Sequence, residues 1–195
     1  MSLLAGVVAV QGDVSEHRVA FERAGNALGV DVETVAVRES GVVPDCDIVA
    51  LPGGESTTIS RLLRREGIDD EIREHVEGGG ATLATCAGLI VLGNPSDERV
   101  DSLGLLDIDV ERNAFGGQRE SFEADIEVRG LDEPFHAVFI RAPVVSRVGD
   151  GVDVLAEFGG DIVGVRQDNV VGTAFHPELT DDHRVHELLM EGDYD

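Results

Sequence analysis

The sequence predicts an α/β protein built on a doubly wound, mostly parallel sheet flanked by helices. Two observations carry that prediction. Apolar runs that do not alternate with polar residues, "LLAGVVAV", "DIVALP" and "ATLATC", have the pattern of strands covered on both faces. Helical patterns lie between them, over Ser15 to Arg23, Ser56 to Arg65, Asp69 to Glu77 and Ala87 to Leu92. A strand-helix-strand order calls for crossover connections and hence parallel neighbours.

The opening run lacks a basic segment before it and is too short to cross a bilayer, so it reads as a buried strand. The "GGG" at 78–80 ends the helix that precedes it. From about Gly104 the texture changes to short strands separated by turns: "LGLLDIDVE", "SFEADIEV", "HAVFIRAP", "DVLAEF", "DIVGVRQ" and "VVGTAF". These read as additional strands of the same sheet plus a smaller antiparallel layer. A last helix covers Asp182 to Met190, its start marked by Thr180, Asp181 and Asp182. With 195 residues and 42% hydrophobic content, 1–195 reads as a single domain with one sizeable core.

Acidic residues number 39 against 15 basic ones, for a formal charge of −24, and every basic residue is an arginine. Such a surface repels phosphate backbones and anionic lipids, which argues against nucleic-acid and membrane partners. It suits a protein working in concentrated salt, where screening mutes self-repulsion. Without lysine the chain can form no Schiff base and build no P-loop. Cys46 and Cys86, with no CxxC pair and no secretory leader, fit reduced thiols in a cytoplasm.

Cys86 stands where a predicted strand meets a predicted helix, between small residues. That is the setting of a nucleophile elbow, whose thiol faces the positive end of a helix, an environment that favours thiolate. A small buried residue would read the same way. Of the six histidines, His17, His75, His136, His176, His183 and His186, three (His75, His183 and His186) lie among acids on predicted helices and are expected to face solvent. His176 instead follows a strand and opens "HPEL". In an extended chain Glu178 would point the same way as His176, and a carboxylate there would fix the imidazole tautomer, although an ordinary turn fits the same residues.

"LPGGEST" at 51–57 could turn backbone N–H groups toward an oxyanion, or be a plain turn with a Ser/Thr cap. "RNAFGGQRESFE" carries Arg112, Asn113 and Gln118 around glycines, and "FIRAP" ends a strand with Arg141, a possible carboxylate partner. Cys46 has no base beside it and reads as structural. No metal-ligand spacing, GxGxxG or Walker sequence appears.

Taken in order, "GVVAVQGDVSEH", "LPGGESTT", "TCAGLIVL", "RNAFGGQRESFE", "FIRAP" and "HPEL" resemble the class I (triad) glutamine amidotransferases, in the branch of glutaminase subunits of pyridoxal 5′-phosphate synthase (PdxT type). The resemblance runs from residue 6 to about 179. It implies a flavodoxin-like architecture with additional antiparallel strands, Cys86 as nucleophile, His176 as base and Glu178 as third member. It further implies glutamine binding by Gly54, Glu55, Ser56, Arg112, Ile140 and Arg141, oxyanion donors at Gly54 and Ala87, and Gln11 near the active site and partner contact. L-glutamine would be the substrate and no cofactor would be needed. The partner would be a PdxS-type synthase subunit, in a large hetero-oligomer, that receives ammonia. Such elbows often read Gly-Thr-Cys; here Ala84 replaces the glycine, and its methyl fits if the residue is still on the strand. Two rival readings are a cysteine hydrolase or amidotransferase with another acceptor, and a non-catalytic acidic binding module with an inert cysteine.

Overall fold

A computed structural model describes residues 2–12, 14–112 and 121–191. Strands β1 (Ser2–Val8), β2 (Asp31–Val37), β3 (Ile48–Leu51) and β4 (Ala81–Thr85) alternate with helices α1 (Ser15–Leu28), α2 (Ser56–Glu66), α3 (Ile68–Glu77) and α4 (Ala87–Leu92). The second half carries β5 (Asn94–Pro95), β6 (Ile108–Glu111), β7 (Ser121–Ile126), β8 (Phe135–Ile140), β9 (Val144–Val148), β10 (Asp153–Phe158), β11 (Asp161–Gln167) and β12 (Val170–Thr173). Helix α5 (Arg184–Met190) follows.

The parallel part of the sheet has the order β2-β1-β3-β4-β12. From β1 the chain steps one way to β2 and the other way to β3. That reversal opens a crevice at the carboxyl ends of the strands, where open α/β sheets hold their ligands. Beyond β12 the sheet continues as β11-β9-β6-β5, antiparallel as far as β6, with β10 paired to the flank of β11. The β7–β8 hairpin forms its own small layer.

Strands β3, β4 and β12 are buried at every residue, which is why their sequences are unbroken apolar or small runs. Edge strand β2, "DVETVAV", alternates between exposed and partly covered positions in its first four residues and is buried only at Val37, so it lacks the continuous run that marks the others. Helix α1 extends past Arg23 to Leu28, where Gly29 turns the chain at φ 70°. Helix α3 stops at Glu77, and Gly79 takes φ 87° in the turn into β4, as the glycine run leads one to expect. Phe21, Leu51, Leu83 and Leu89 are fully buried, each adding roughly 1.5–3 kcal/mol of hydrophobic stabilisation. Among the described residues no helix is long and apolar enough to cross a membrane.

Cys46 packs under Gly6, where an added Cβ would stand 2.6 Å from its sulfur, and its thiol donates to the Val42 carbonyl at 3.3 Å. Burial first, then the charges of Asp45, Asp47 and Glu71, push that thiol up to about 11. A thiol so protonated is an inert packing group.

Candidate active site

Cys86 lies between β4 and α4 with φ 50° and ψ −102°, a conformation that costs a non-glycine residue about 1–3 kcal/mol. The surroundings hold it there. Its N–H donates to the Thr173 carbonyl of β12 at 2.8 Å, and its carbonyl accepts from Ile90 N–H at 3.3 Å. Gly88, in the first turn of α4, lies so close to the Leu51 carbonyl that a Cβ there would collide with β3 backbone. Small residues after the cysteine therefore let the helix sit tightly on the sheet edge. Ala84 is within β4 and fully buried, so its methyl is part of the core.

His176 follows β12, and its N–H donates to the Val138 carbonyl of β8 at 2.9 Å. Its ring passes over Gly53: a Cβ at that position would stand 2.5 Å from His176 Cε1, so the first glycine of "LPGG" clears space for the imidazole. Nδ1 of His176 lies 2.7 Å from Glu178 Oε1, and Cys86 acts on the same ring. The His–Glu contact does not arise from an extended chain. Pro177–Leu179 form a 3-10 turn with His176 at its head, and the turn brings the carboxylate back to the ring.

Burial disfavours the charged imidazole, yet the neighbouring Cys86 and the hydrogen bond and negative charge of Glu178 outweigh it and raise His176 to about 10. For Glu178, burial alone would raise the carboxyl; the facing His17 ring and then the hydrogen bond and charge of His176 instead lower it to about 2. Both directions describe one ion pair with little water around it.

These groups open onto a cleft of about 420 Å³ lined by Gly54, Glu55, Ser56, Cys86, Ala87, Arg112, Ile140, Arg141 and His176, with Gln11 and Gly12 at one wall. Every site residue named from sequence is on that wall except Glu178, which stands behind His176. Asn113 and Gln118 lie outside the described residues.

The "LPGGEST" loop differs from the expected Ser/Thr cap. Glu55 caps α2, accepting from Thr57 N–H at 3.2 Å and from Thr58 N–H and Oγ1 at 2.8 Å each. Partial burial would raise its carboxyl, but the bonds from Thr58 and then Thr57 hold it at about 2. Its own N–H donates to Gln11 Oε1 at 2.8 Å. Ser56, released from capping, is buried with a hydroxyl that has no hydrogen-bond partner among the described residues.

Arg112 reaches Asp97 at 2.5 Å and Glu55 at 3.2 Å. Arg99 and then Arg112 hold the Asp97 carboxyl well below the usual carboxylate range. Asp97 was not singled out from sequence, because nothing local links it to Arg112. Arg141 closes β8 with φ 43°, and the Ile140 carbonyl lies 3.9 Å from Cys86 Sγ.

The expectation that His75, His183 and His186 face solvent fails most clearly at His186, which is 0% exposed where α5 packs on α1. His75 is half-buried with Nε2 on the Ala81 carbonyl at 3.2 Å. His183 is partly exposed and pairs with Glu187 at 3.1 Å.

A doubly wound sheet carrying a cysteine elbow, with a His–Glu pair on the neighbouring strand end, defines an α/β enzyme of the cysteine-amidotransferase class. Residues 7–193 match the SNO glutamine amidotransferase family, and the chain belongs to that family. It is 64% identical over 187 residues to a Halorubrum lacusprofundi protein named pyridoxal 5′-phosphate synthase subunit PdxT, covering 95% of each chain. A Haloarcula marismortui protein of the same name is 61% identical over 191 residues, with 97% of each chain covered. A solved structure described as a glutamine amidotransferase superposes with TM-score 0.85 at 48% identity, covering 96% of this chain and 97% of the other.

Proposed function

We propose that this chain is the glutaminase subunit of a pyridoxal 5′-phosphate synthase, one glutamine amidotransferase domain acting through Cys86, His176 and Glu178. The observation that supports this most is the line from Glu178 through the His176 ring, 2.7 Å from Oε1, to a cysteine held in strained backbone at the cleft. The sulfur of Cys86, as thiolate, attacks the side-chain amide carbon of glutamine, and the carbonyl oxygen takes the charge. Backbone N–H groups of Gly54 and Ala87 serve as oxyanion donors. His176, holding the thiol proton, gives it to the leaving nitrogen, and ammonia departs from a glutamyl thioester. His176 then takes a proton from water, which adds to the thioester and releases glutamate and the thiol. Glu178 keeps Nδ1–H directed at itself and stabilises the imidazolium.

Glu55 has its carboxylate committed to the α2 cap and its N–H to Gln11, so its contribution to glutamine binding is through its main-chain carbonyl, beside the unpartnered Ser56 hydroxyl. Arg112 and Arg141 supply positive charge for the substrate carboxylate, and Ile140 supplies its main chain. The chain needs no cofactor.

Assembly of pyridoxal phosphate from sugar phosphates requires imine-forming amines, and this chain has no lysine. That absence fits the family resemblance, on which the ammonia is delivered to a separate PdxS-type synthase subunit in a large hetero-oligomer, with Gln11 near the contact. We place the work in the cytoplasm, where the acidic surface suits concentrated salt. The test is glutamate release from glutamine at high salt, with and without the synthase subunit from the same source. Release should rise sharply with the synthase and vanish in Cys86→Ala. Full release by Cys86→Ala would overturn the assignment of the nucleophile, and indifference to the synthase would overturn the partner.

A further inference from the structure

Behind Glu178, on the side away from the cleft, four elements converge on a second set of polar groups. Glu178 Oε1 is taken by His176, but Oε2 is buried and makes no hydrogen bond among the described residues. The polar atom facing it is Nε2 of His17, from α1, at 3.5 Å. That same nitrogen lies 3.2 Å from the hydroxyl of Thr85, the residue before Cys86. On its other side, Nδ1 of His17 is 3.3 Å from Nε2 of His186, from α5. Both rings are 0% exposed.

Two imidazole nitrogens facing each other can bond only if one carries a hydrogen and the other a lone pair. The other nitrogen of His186, Nδ1, is buried without a partner among the described residues. An orphaned lone pair there is better tolerated than an orphaned N–H, so the hydrogen of His186 belongs on Nε2, donated to His17 Nδ1. His17 must then carry its own hydrogen on Nε2, directed at Thr85 and Glu178. Burial lowers both histidines, His186 to about 3, in keeping with two neutral rings.

We propose that His17 is a positioning residue for the reaction: it holds the second oxygen of Glu178, with its tautomer set by His186, so that the first oxygen stays in line with His176 Nδ1. The inference rests on the triad reading above. His17 never meets substrate. It acts through the carboxylate, which must remain ionised and aligned each time His176 takes up a proton. Through Thr85 it also ties that carboxylate to the strand that carries the nucleophile, so base and nucleophile share one support.

The test compares His17→Leu, which fills the volume without a donor, with His17→Gln, whose amide nitrogen takes the place of Nε2. Glutaminase kcat and KM are measured on the full chain in complex with the synthase subunit, beside wild type and Cys86→Ala. His17→Leu should lower kcat by about 10- to 100-fold, the range for groups that orient a working side chain, with KM within about twofold. His17→Gln should return kcat to within about threefold of wild type. Wild-type kcat in His17→Leu, or equal losses in the two variants, overturns the proposal. Should His17→Leu not fold by its melting curve, His17→Asn, too short to reach the carboxylate, replaces it. An inactive Cys86→Ala beside an unimpaired His17→Leu removes only the role of His17, whereas an active Cys86→Ala removes the triad and this proposal together.

Discussion

The two sides of the His176 ring are built on different physics. Toward the cleft the charged groups are partly hydrated: the side chains of Arg112, Glu55 and Asp97 are 26%, 45% and 17% exposed, and their ion pairs are cross-linked. Toward the interior, Glu178, His17 and His186 are buried, with one formal charge set against the ring and two neutral imidazoles behind it. Salt screens the first set strongly and the second hardly at all. On the proposed reading, an enzyme with a net charge of −24 leaves substrate capture to groups that respond to the medium while the proton-handling pair is shielded from it.

The sharpest break of this contrast is Glu178→Gln. An amide keeps the shape and the turn but presents the wrong partner to Nδ1, and kcat should fall by about 10³- to 10⁴-fold, as it does when a triad carboxylate becomes an amide. Single-turnover glutamate release gives the value; a loss under tenfold would mean that the interior side is only scaffolding.

A second measurement concerns acid stability. His186 is lowered from 6.5 to about 3, so the unfolded state binds its proton first. Stability from keeping it neutral is fully present above pH 6.5 and is lost as pH falls from 6.5 toward 3, by at most about 1.4 kcal/mol per pH unit. Glu178, lowered from 4.5 to about 2, adds a further loss only below 4.5. His176, raised to about 10, works the other way: its contribution is complete below 6.5 and disappears as pH rises through 10. Melting temperatures of wild type should therefore fall between pH 6.5 and 4.5, where His186→Leu should fall less steeply. Parallel curves would place the acid response elsewhere.

The smallest effect is expected on the open side. Asp97→Asn removes one anchor of Arg112, and a partly hydrated pair of this kind is worth about 0.2–1 kcal/mol. KM for glutamine should change about two- to fivefold at low ionic strength and hardly at all in concentrated salt. A change that persists in salt would show that Arg112 behaves as a buried group.

Much of the open side was legible in the sequence, because each piece is local: a glycine pair after a strand, a cysteine between small residues, "HPEL" after "VVGTAF". The parallel strands were legible for the same reason, since burial on both faces writes itself as an unbroken run. The edge strand β2 escaped because an alternating "DVETVAV" lacks that run. The interior support escaped for a different reason. "HRVHELLM" reads as a solvated helix until α5 is laid against α1 and β4, and only then do His186 and His17, far apart in sequence, become neighbours. Asp97 and Arg112 likewise meet only through the fold, and the His176–Glu178 contact was anticipated with the wrong backbone, an extended pair in place of a 3-10 turn.

The two thiols and the missing lysines also make the protein convenient to instrument. Amine-directed reagents find no side chain to modify, and Cys46, with its thiol pushed up to about 11 and its sulfur packed against Gly6, is closed to electrophiles at neutral pH. Cys86 alone lines the cleft. A fluorescent or spin label attached there would mark a single atom of known surroundings, giving a built-in reporter for arrival of a partner chain without engineering any residue.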